Sequence, residues 1–396
     1  MIGKYSAFIP EESGSIGEEW RQCLKQIIYK REPGFSLIKI NVFTDLHDDD
    51  TYNKVQREIG KSIRNAFGKQ CPAFTITVHP PEKPWKVVVE AAYTTADSSE
   101  IKSKICNSIP YVVCTTESGK EVWAGGLGSV FFPSDTRNAA TKAFDQMKAI
   151  LDAEGMSFNH IVRQWNFIGN ILEIKNEFQN YQIFNEVRSE FYQKYRTLHS
   201  YPAATGIGMK LGGVLIDFCA VITNDTIEVK PIENPNQINA YEYSQQVLKG
   251  ISGDGRSVLH PPQFERALLL RNKIQSTLFI SGTASITGQD TIGIDDVEKQ
   301  TRITIENINK LTDQKRIGQF SANSDADWGK FIFLRVYVKN QHDFSKVKML
   351  CAEQFNEIPA IFIESDICRE NLLVEIEAEF LINYIYSESL EDKNSK

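Results

Sequence analysis

The feature that most constrains how this 396-residue chain can fold is a weak internal repeat: Glu121 to Ile171 and Thr277 to Phe344 pass through the same order of strand, loop, helix and strand. In the first copy EVWAGGLGSVFF is an apolar run broken by glycines, AATKAFDQMKAILDAEG has helical apolar spacing and ends at Gly155, and HIVRQWNFIGNI is β-branched and aromatic. TLFISGTASI, DDVEKQTRITIENINKL and KFIFLRVYVK repeat that series. A strand that must return beside its predecessor after a helix predicts an α+β fold, with mixed sheets and helices packed on one face. Further strands are expected in FTITVHP and KVVVEAAY ahead of the first copy, and in VLIDFCAVI and TIEVKPI ahead of the second. The expected division is a first unit at 1–175, a connecting helix and loop at 176–202, a second unit at 203–388 and a polar tail at 389–396.

Composition removes several classes. With 41% hydrophobic and 24% charged residues the chain has the profile of an ordinary globular protein. The start, MIGKYSAFIPEESGS, lacks a basic segment followed by an apolar one, and no stretch approaches the roughly 18 apolar residues of a membrane span, so a cytoplasmic protein with no membrane partner is expected. A net charge of −7 without a long Lys/Arg run speaks against nucleic acid as a partner. Seven cysteines without a C-x-x-C pair predict reduced thiols and no metal site. His47 with Asp48, Asp49 and Asp50 reads as a helix start, because consecutive side chains splay apart. GGLGS and SGTAS lack the spacing of a phosphate-binding loop, so no cofactor is expected.

Two patterns carry chemistry. LLVEIEAEF alternates Glu375, Glu377 and Glu379 with Val374, Ile376 and Ala378, so the carboxyls share one strand face. That face is either solvated, or screened so that one carboxyl has a raised pKa and serves as a general acid. Arg188, Arg266, Arg335 and Arg369 lie among aromatic or apolar residues, where a guanidinium needs an anion. Each alone is compatible with a structural salt bridge, and together they suit a dicarboxylate. Cys368, just ahead of the Glu375 strand, reads either as a small buried hydrophobe or as a reactive thiol.

FISGTASI, DDVEKQTRITIENINKL, FLRVYVKNQHDFSKV and LLVEIEA resemble the YjgF/RidA family, which implies a chorismate-mutase-like fold with sites at clefts between units. The imine deaminases of that family carry an arginine after a Pro-Ala step, where this chain has Ile361. A closer resemblance, over residues 110 to 386, is to the chorismatases, through RQWNFIGNI, NYQIFNEVR, PAATGIG, IENPNQINAYEY, QFERALLL, LFISGTASITG and DICRENLLVEIEA. These are similar to two fused RidA-like units. The resemblance implies a cofactor-free enzyme, a monomer or small homo-oligomer, that takes the small molecule chorismate to pyruvate and 3-hydroxybenzoate. It implies Glu375 as the acid, Tyr181, Arg188 and Arg266 as groups that hold and orient the substrate, and Tyr241 and Arg369 as further binding residues. Gly282 and Cys368 match the 3-hydroxybenzoate type, with the cysteine shaping or assisting the site. Two departures are Gln289, where a histidine is usual, and the first seventy residues, which match weakly. The alternatives are a chorismatase with 4-hydroxybenzoate or a dihydroxycyclohexadiene carboxylate as product, and a RidA-like protein that binds a small anion without turning it over.

Overall fold

The computed structural model describes residues 2–30, 32–95, 100–116, 119–129, 135–175, 177–223, 228–248, 258–271, 275–317, 329–355 and 357–383. The polar tail expected at 389–396 lies outside them.

The weakly matching start forms a sheet of its own. β1 (Ile2–Phe8), α1 (Ile16–Tyr29), β2 (Phe35–Thr44), α2 (Asp49–Phe67), β3 (Ala73–Val78) and β4 (Val87–Thr95) give a four-stranded sheet in the order β1-β4-β2-β3. Ser15 and Glu18 form a capping box at α1, and Asp48 accepts from the Thr51 backbone N–H at 2.8 Å, so the Asp48–Asp50 run is the helix start its sequence suggests.

The second sheet contains β5 (Glu100–Cys106), β6 (Ile109–Thr116), β7 (Gly119–Ser129), β8 (Ile161–Gly169), β11 (Ala203–Met209) and β12 (Val214–Thr223), ordered β11-β8-β12-β7-β6-β5. α3 (Thr136–Ala153) joins β7 to β8, and the short ladder of β9 (Ile174–Lys175) with β10 (Phe178–Gln179) precedes α4 (Asn180–Tyr195). This sheet takes strands from both sides of 176–202, because β12 pairs between β7 and β8 and α4 packs Phe184, Val187 and Tyr192 into the same core as Phe144 of α3.

The third sheet repeats the plan. β13 (Glu228–Ile232), β14 (Ala267–Arg271), β15 (Gln275–Ala284), β18 (Gly329–Val338), β19 (Ala360–Glu364) and β20 (Val374–Asn383) are ordered β13-β14-β15-β20-β18-β19. A short ladder of β16 (Ile286–Thr287) with β17 (Asp290–Thr291) leads into α5 (Val297–Leu311) and the single turn α6 (Gln314–Ile317), while α7 (Phe344–Gln354) lies between β18 and β19. β7–α3–β8 and β15–α5–β18 are the two copies of the repeat.

Each sheet carries two helices on its outer face, and the three inner faces meet. Phe43, Trp123, Trp165, Phe279, Phe333 and Tyr337, drawn from all three sheets, belong to one apolar cluster. Several charged groups in the same space form ion pairs. Arg335 forms ion pairs with Glu90 at 2.6 Å and Glu377 at 2.6 Å, Arg163 pairs with Glu377 at 2.7 Å, and Lys39 pairs with Asp217 at 2.5 Å. No helix among the described residues is long and apolar enough to cross a membrane.

Removing one member of a buried ion network leaves its partners charged and unsolvated, which typically costs about 3–5 kcal/mol. Arg335→Leu strands Glu90 and takes from Glu377 one of its two guanidinium partners, so we expect a loss of that order in urea unfolding. A variant as stable as the parent would show that the network is not a main tie between the sheets.

Candidate active site

A cavity of about 800 Å³ opens between the second and third sheets. α4 contributes Tyr181, Gln182 and Asn185, β11 contributes Ala204 and Gly206, and β15 and β20 contribute Gly282 and Glu375. Tyr243, Arg266, Cys368 and Arg369 complete the inner wall.

The backbone is shaped for close approach. The pairing of β15 with β20 shifts register between Ile280 and Thr283, a bulge that leaves Gly282 beside Glu375. A Cβ on Gly282 would lie 2.0 Å from the Glu375 carboxyl oxygen, and one on Gly206 would lie 3.0 Å from the Tyr181 ring. Ser281 fixes the two walls together, its hydroxyl accepting from the Ala204 N–H at 2.9 Å and donating to the Glu265 carbonyl at 2.6 Å.

The glutamate face is not solvated. Glu375, Glu377 and Glu379 are 4%, 3% and 4% exposed because the inner faces of the other sheets cover them. Their roles then diverge. Glu377 accepts from Arg163, Trp165 and Thr205 as well as pairing with Arg335. Glu379 accepts from the Tyr5 hydroxyl of β1, and burial pushes its carboxyl up to about 8. Glu375 alone of the three lines the cavity. Burial, reinforced by the negative charge of Glu377, raises Glu375 to about 8 against the opposing pull of Arg163 and Arg266. At pH 7 about nine-tenths of such a group is protonated, so Glu375 presents an acidic proton to the cavity.

The structure sorts the four arginines. Arg335 is a structural ion-pair partner and not part of the cavity wall. Arg266, 4% exposed, donates to the Tyr243 hydroxyl at 2.7 Å and the Ile238 carbonyl at 2.5 Å, and its Nε has no partner among the described residues. Arg369 donates to the Gln289 carbonyl at 2.6 Å. Arg188, 2% exposed, donates to Asn185 Oδ1 at 2.7 Å and lies over the Phe184 ring. Among the described residues none of these three has a carboxylate partner. Cations without anions are costly away from water, and buried Arg266 with half-buried Arg369 on the cavity wall, and buried Arg188 behind it, select for an anionic ligand.

Tyr243 sits between Arg266 and Arg369, its ring centroid 5.5 Å and 5.2 Å from their guanidinium carbons. It therefore occupies the place expected for Tyr241, which instead packs on Tyr201 with centroids 5.2 Å apart and faces Glu265 at 3.4 Å. The two tyrosines are two positions apart in NAYEY, and sequence alone does not say which one turns inward. Gln289 is a brace: its side-chain oxygen accepts from the Ser244 N–H at 3.0 Å while its carbonyl holds Arg369. Ile361, where an imine deaminase has arginine, is buried in β19. Asn185, absent from the sequence reading, follows from the helical period once Tyr181 is placed inward, being four residues on, whereas Gln182, one residue on, does not.

Cys368 is in the cavity wall, and burial, with the neighbouring Glu375, pushes its thiol up to about 12. It is held as a thiol, not a thiolate nucleophile.

Fold and cavity together define a small-molecule site with a protonated carboxyl at its base and cations around it. The family model described as chorismatase FkbO/Hyg5-like, N-terminal, matches residues 118–220. A 3-hydroxybenzoate synthase of Streptomyces hygroscopicus is 30% identical over 253 residues, covering 62% of this chain and 70% of that protein. A chorismatase of Streptomyces rapamycinicus is 30% identical over 228 residues, 56% of this chain and 64% of that one. A chorismatase crystal structure shares the fold with a TM-score of 0.64 at 19% identity, over 96% of this chain and 99% of its own. The chain belongs to the chorismatase family.

A thiol pushed up to about 12 is almost wholly protonated at pH 8. We expect Cys368 to react with iodoacetamide at least about a hundredfold more slowly than free cysteine at that pH, with a rate that keeps climbing above pH 9, read by peptide mass spectrometry. Rapid labelling that levels off near pH 8 would contradict this.

Proposed function

We propose that the protein converts chorismate to pyruvate and 3-hydroxybenzoate, with Glu375 as the general acid. The observation that carries this reading is a buried, protonated carboxyl in a cavity flanked by Arg266 and Arg369. Chorismate is a dianion, and its enolpyruvyl ether is an electron-rich alkene whose terminal carbon accepts a proton. Glu375 gives its proton to that carbon, which becomes the methyl group of pyruvate, and the cation that forms is stabilised by the ether oxygen. The ring hydroxyl then attacks the adjacent ring carbon, the ether C–O bond breaks and pyruvate leaves. The hydroxyl proton is returned to the Glu375 carboxylate, and opening of the resulting epoxide with loss of a ring proton gives the aromatic acid. No water is consumed, because the atoms of chorismate divide completely between the two products.

The arginines lower the cost of holding two carboxylates together and fix the alkene over the acid, which supplies rate through positioning. Tyr181, pressed on Gly206, is kept protonated by burial and forms part of the wall that orients the ring. Cys368, as a neutral thiol, limits the space beside Glu375 and directs the choice of product together with Gly282. A relative from Streptomyces hygroscopicus that is named a 3-hydroxybenzoate synthase supports this choice of product.

Purified protein incubated with chorismate should release pyruvate and 3-hydroxybenzoate in equal amounts, followed by coupled assay and chromatography. Glu375→Gln keeps the shape without the acidic proton and should lower kcat by about a hundredfold or more. Because the protonated form is active and its pKa is raised to about 8, kcat should be level from pH 6 to 7 and fall above pH 8. Gly282→Ala places a methyl group where the carboxyl oxygen stands and should lower kcat with a smaller effect on KM. Chorismate bound without pyruvate release would favour the binding-protein reading.

A further inference from the structure

The family resemblance assigns Arg188 to direct contact with a substrate carboxylate, yet its guanidinium is not part of the cavity wall. Tyr181, Asn185 and Arg188 stand at successive inward positions of α4, at spacings of four and three residues. Tyr181 and Asn185 reach the cavity, and Arg188 lies one turn behind them. Arg188 Nη2 donates to Asn185 Oδ1 at 2.7 Å. This bond fixes the amide, since the oxygen must face the guanidinium and the NH2 group must point away from it. Asn185 is 1% exposed and its Nδ2 has no hydrogen-bond partner among the described residues, although such groups are nearly always satisfied in folded proteins. A donor of fixed orientation, buried and unmet, on a residue that lines the cavity, is a site waiting for an acceptor.

Resting on the chorismate reading, we propose that Asn185 is a substrate-binding residue whose side-chain N–H donates to a carboxylate or ring oxygen of the substrate, and that Arg188 is a positioning residue that acts through it. The guanidinium polarises the amide by drawing on its oxygen, which makes the Nδ2 hydrogens better donors. Arg266 and Arg369 then hold the anion directly, and the third cation contributes through a neutral intermediary. This resolves how three arginines serve two carboxylates: the buried Arg188 charge lies behind the wall, where it favours an anion in the cavity without spending a ligand position.

The test is a double-mutant cycle on the full chain with Asn185→Ala and Arg188→Lys, the lysine keeping the charge and losing the fork. Asn185→Ala should raise KM for chorismate about tenfold or more, the usual scale for a hydrogen bond to a charged group, while kcat stays within about threefold. Arg188→Lys should raise KM several-fold in the parent, and by less than about twofold when Asn185 is already alanine. Equal penalties in both backgrounds would mean that Arg188 touches the substrate itself and would overturn the proposal. An Asn185→Ala variant with unchanged KM, or one whose loss is all in kcat, would overturn it too. Calorimetric titration of the same four proteins with chorismate gives the cycle in Kd as well, so that binding without turnover would sink the catalytic reading while still deciding this one. Circular dichroism melting of each variant separates misfolding from lost binding, and Asn185→Leu, close in size and without a donor, replaces the alanine if that variant does not fold.

Discussion

Glu377 accepts from Arg163, Trp165 and Thr205 of the second sheet and pairs with Arg335 of the third, which in turn grips Glu90 of the first. One carboxylate therefore ties three sheets, and it does so in a space from which water is excluded. The arrangement is also what makes the neighbouring carboxyl useful. Arg163 and Arg335 are committed to Glu377, so Glu375, two residues earlier on the same face, has burial and a like charge beside it and no ion-pair partner among the described residues. A single additional basic group in that space would drop Glu375 towards an ordinary carboxylate. The acid function is a property of how the charges are distributed among the sheets, more than of the residue that carries it.

The same bookkeeping divides the arginines. Those that meet a glutamate in the interior are spent on structure, and those left with carbonyls, a phenol or an amide retain their electrostatic capacity for a ligand. Tyr243 keeps Arg266 and Arg369 apart by offering both its ring. Gln289, where the family resemblance implies a histidine, takes part in the same construction by fixing Arg369 and the Ser244 backbone at once.

Much of this was legible in the sequence. The period of two in LLVEIEAEF put three carboxyls on one face, and the repeat announced the β7–α3–β8 and β15–α5–β18 units. What the pattern cannot carry is who covers a face: Glu375 and Glu379 are buried because strands hundreds of residues away in sequence lie over them, as Tyr5 does over Glu379. For the same reason the first sheet went unrecognised as a layer, since its strands resemble any buried strand and only their partners set them apart. The exchange of Tyr241 for Tyr243 has a smaller cause, a short turn over 240–242 whose direction depends on Arg266 being present to receive the phenol.

The cleft between the first and second sheets has been put to a different use. There Asp217 is held by Lys39 at 2.5 Å, by the Thr75 hydroxyl at 2.5 Å and by the Gly126 N–H at 2.8 Å, and the space that elsewhere admits a ligand is filled by the protein's own ion pair. In a ring of identical subunits every change in one cleft is copied into all of them. Carrying the three layers on one chain lifts that restriction, so one cleft can be tuned for chemistry while another hardens into scaffold, and a mutation in either is inherited without disturbing its counterpart.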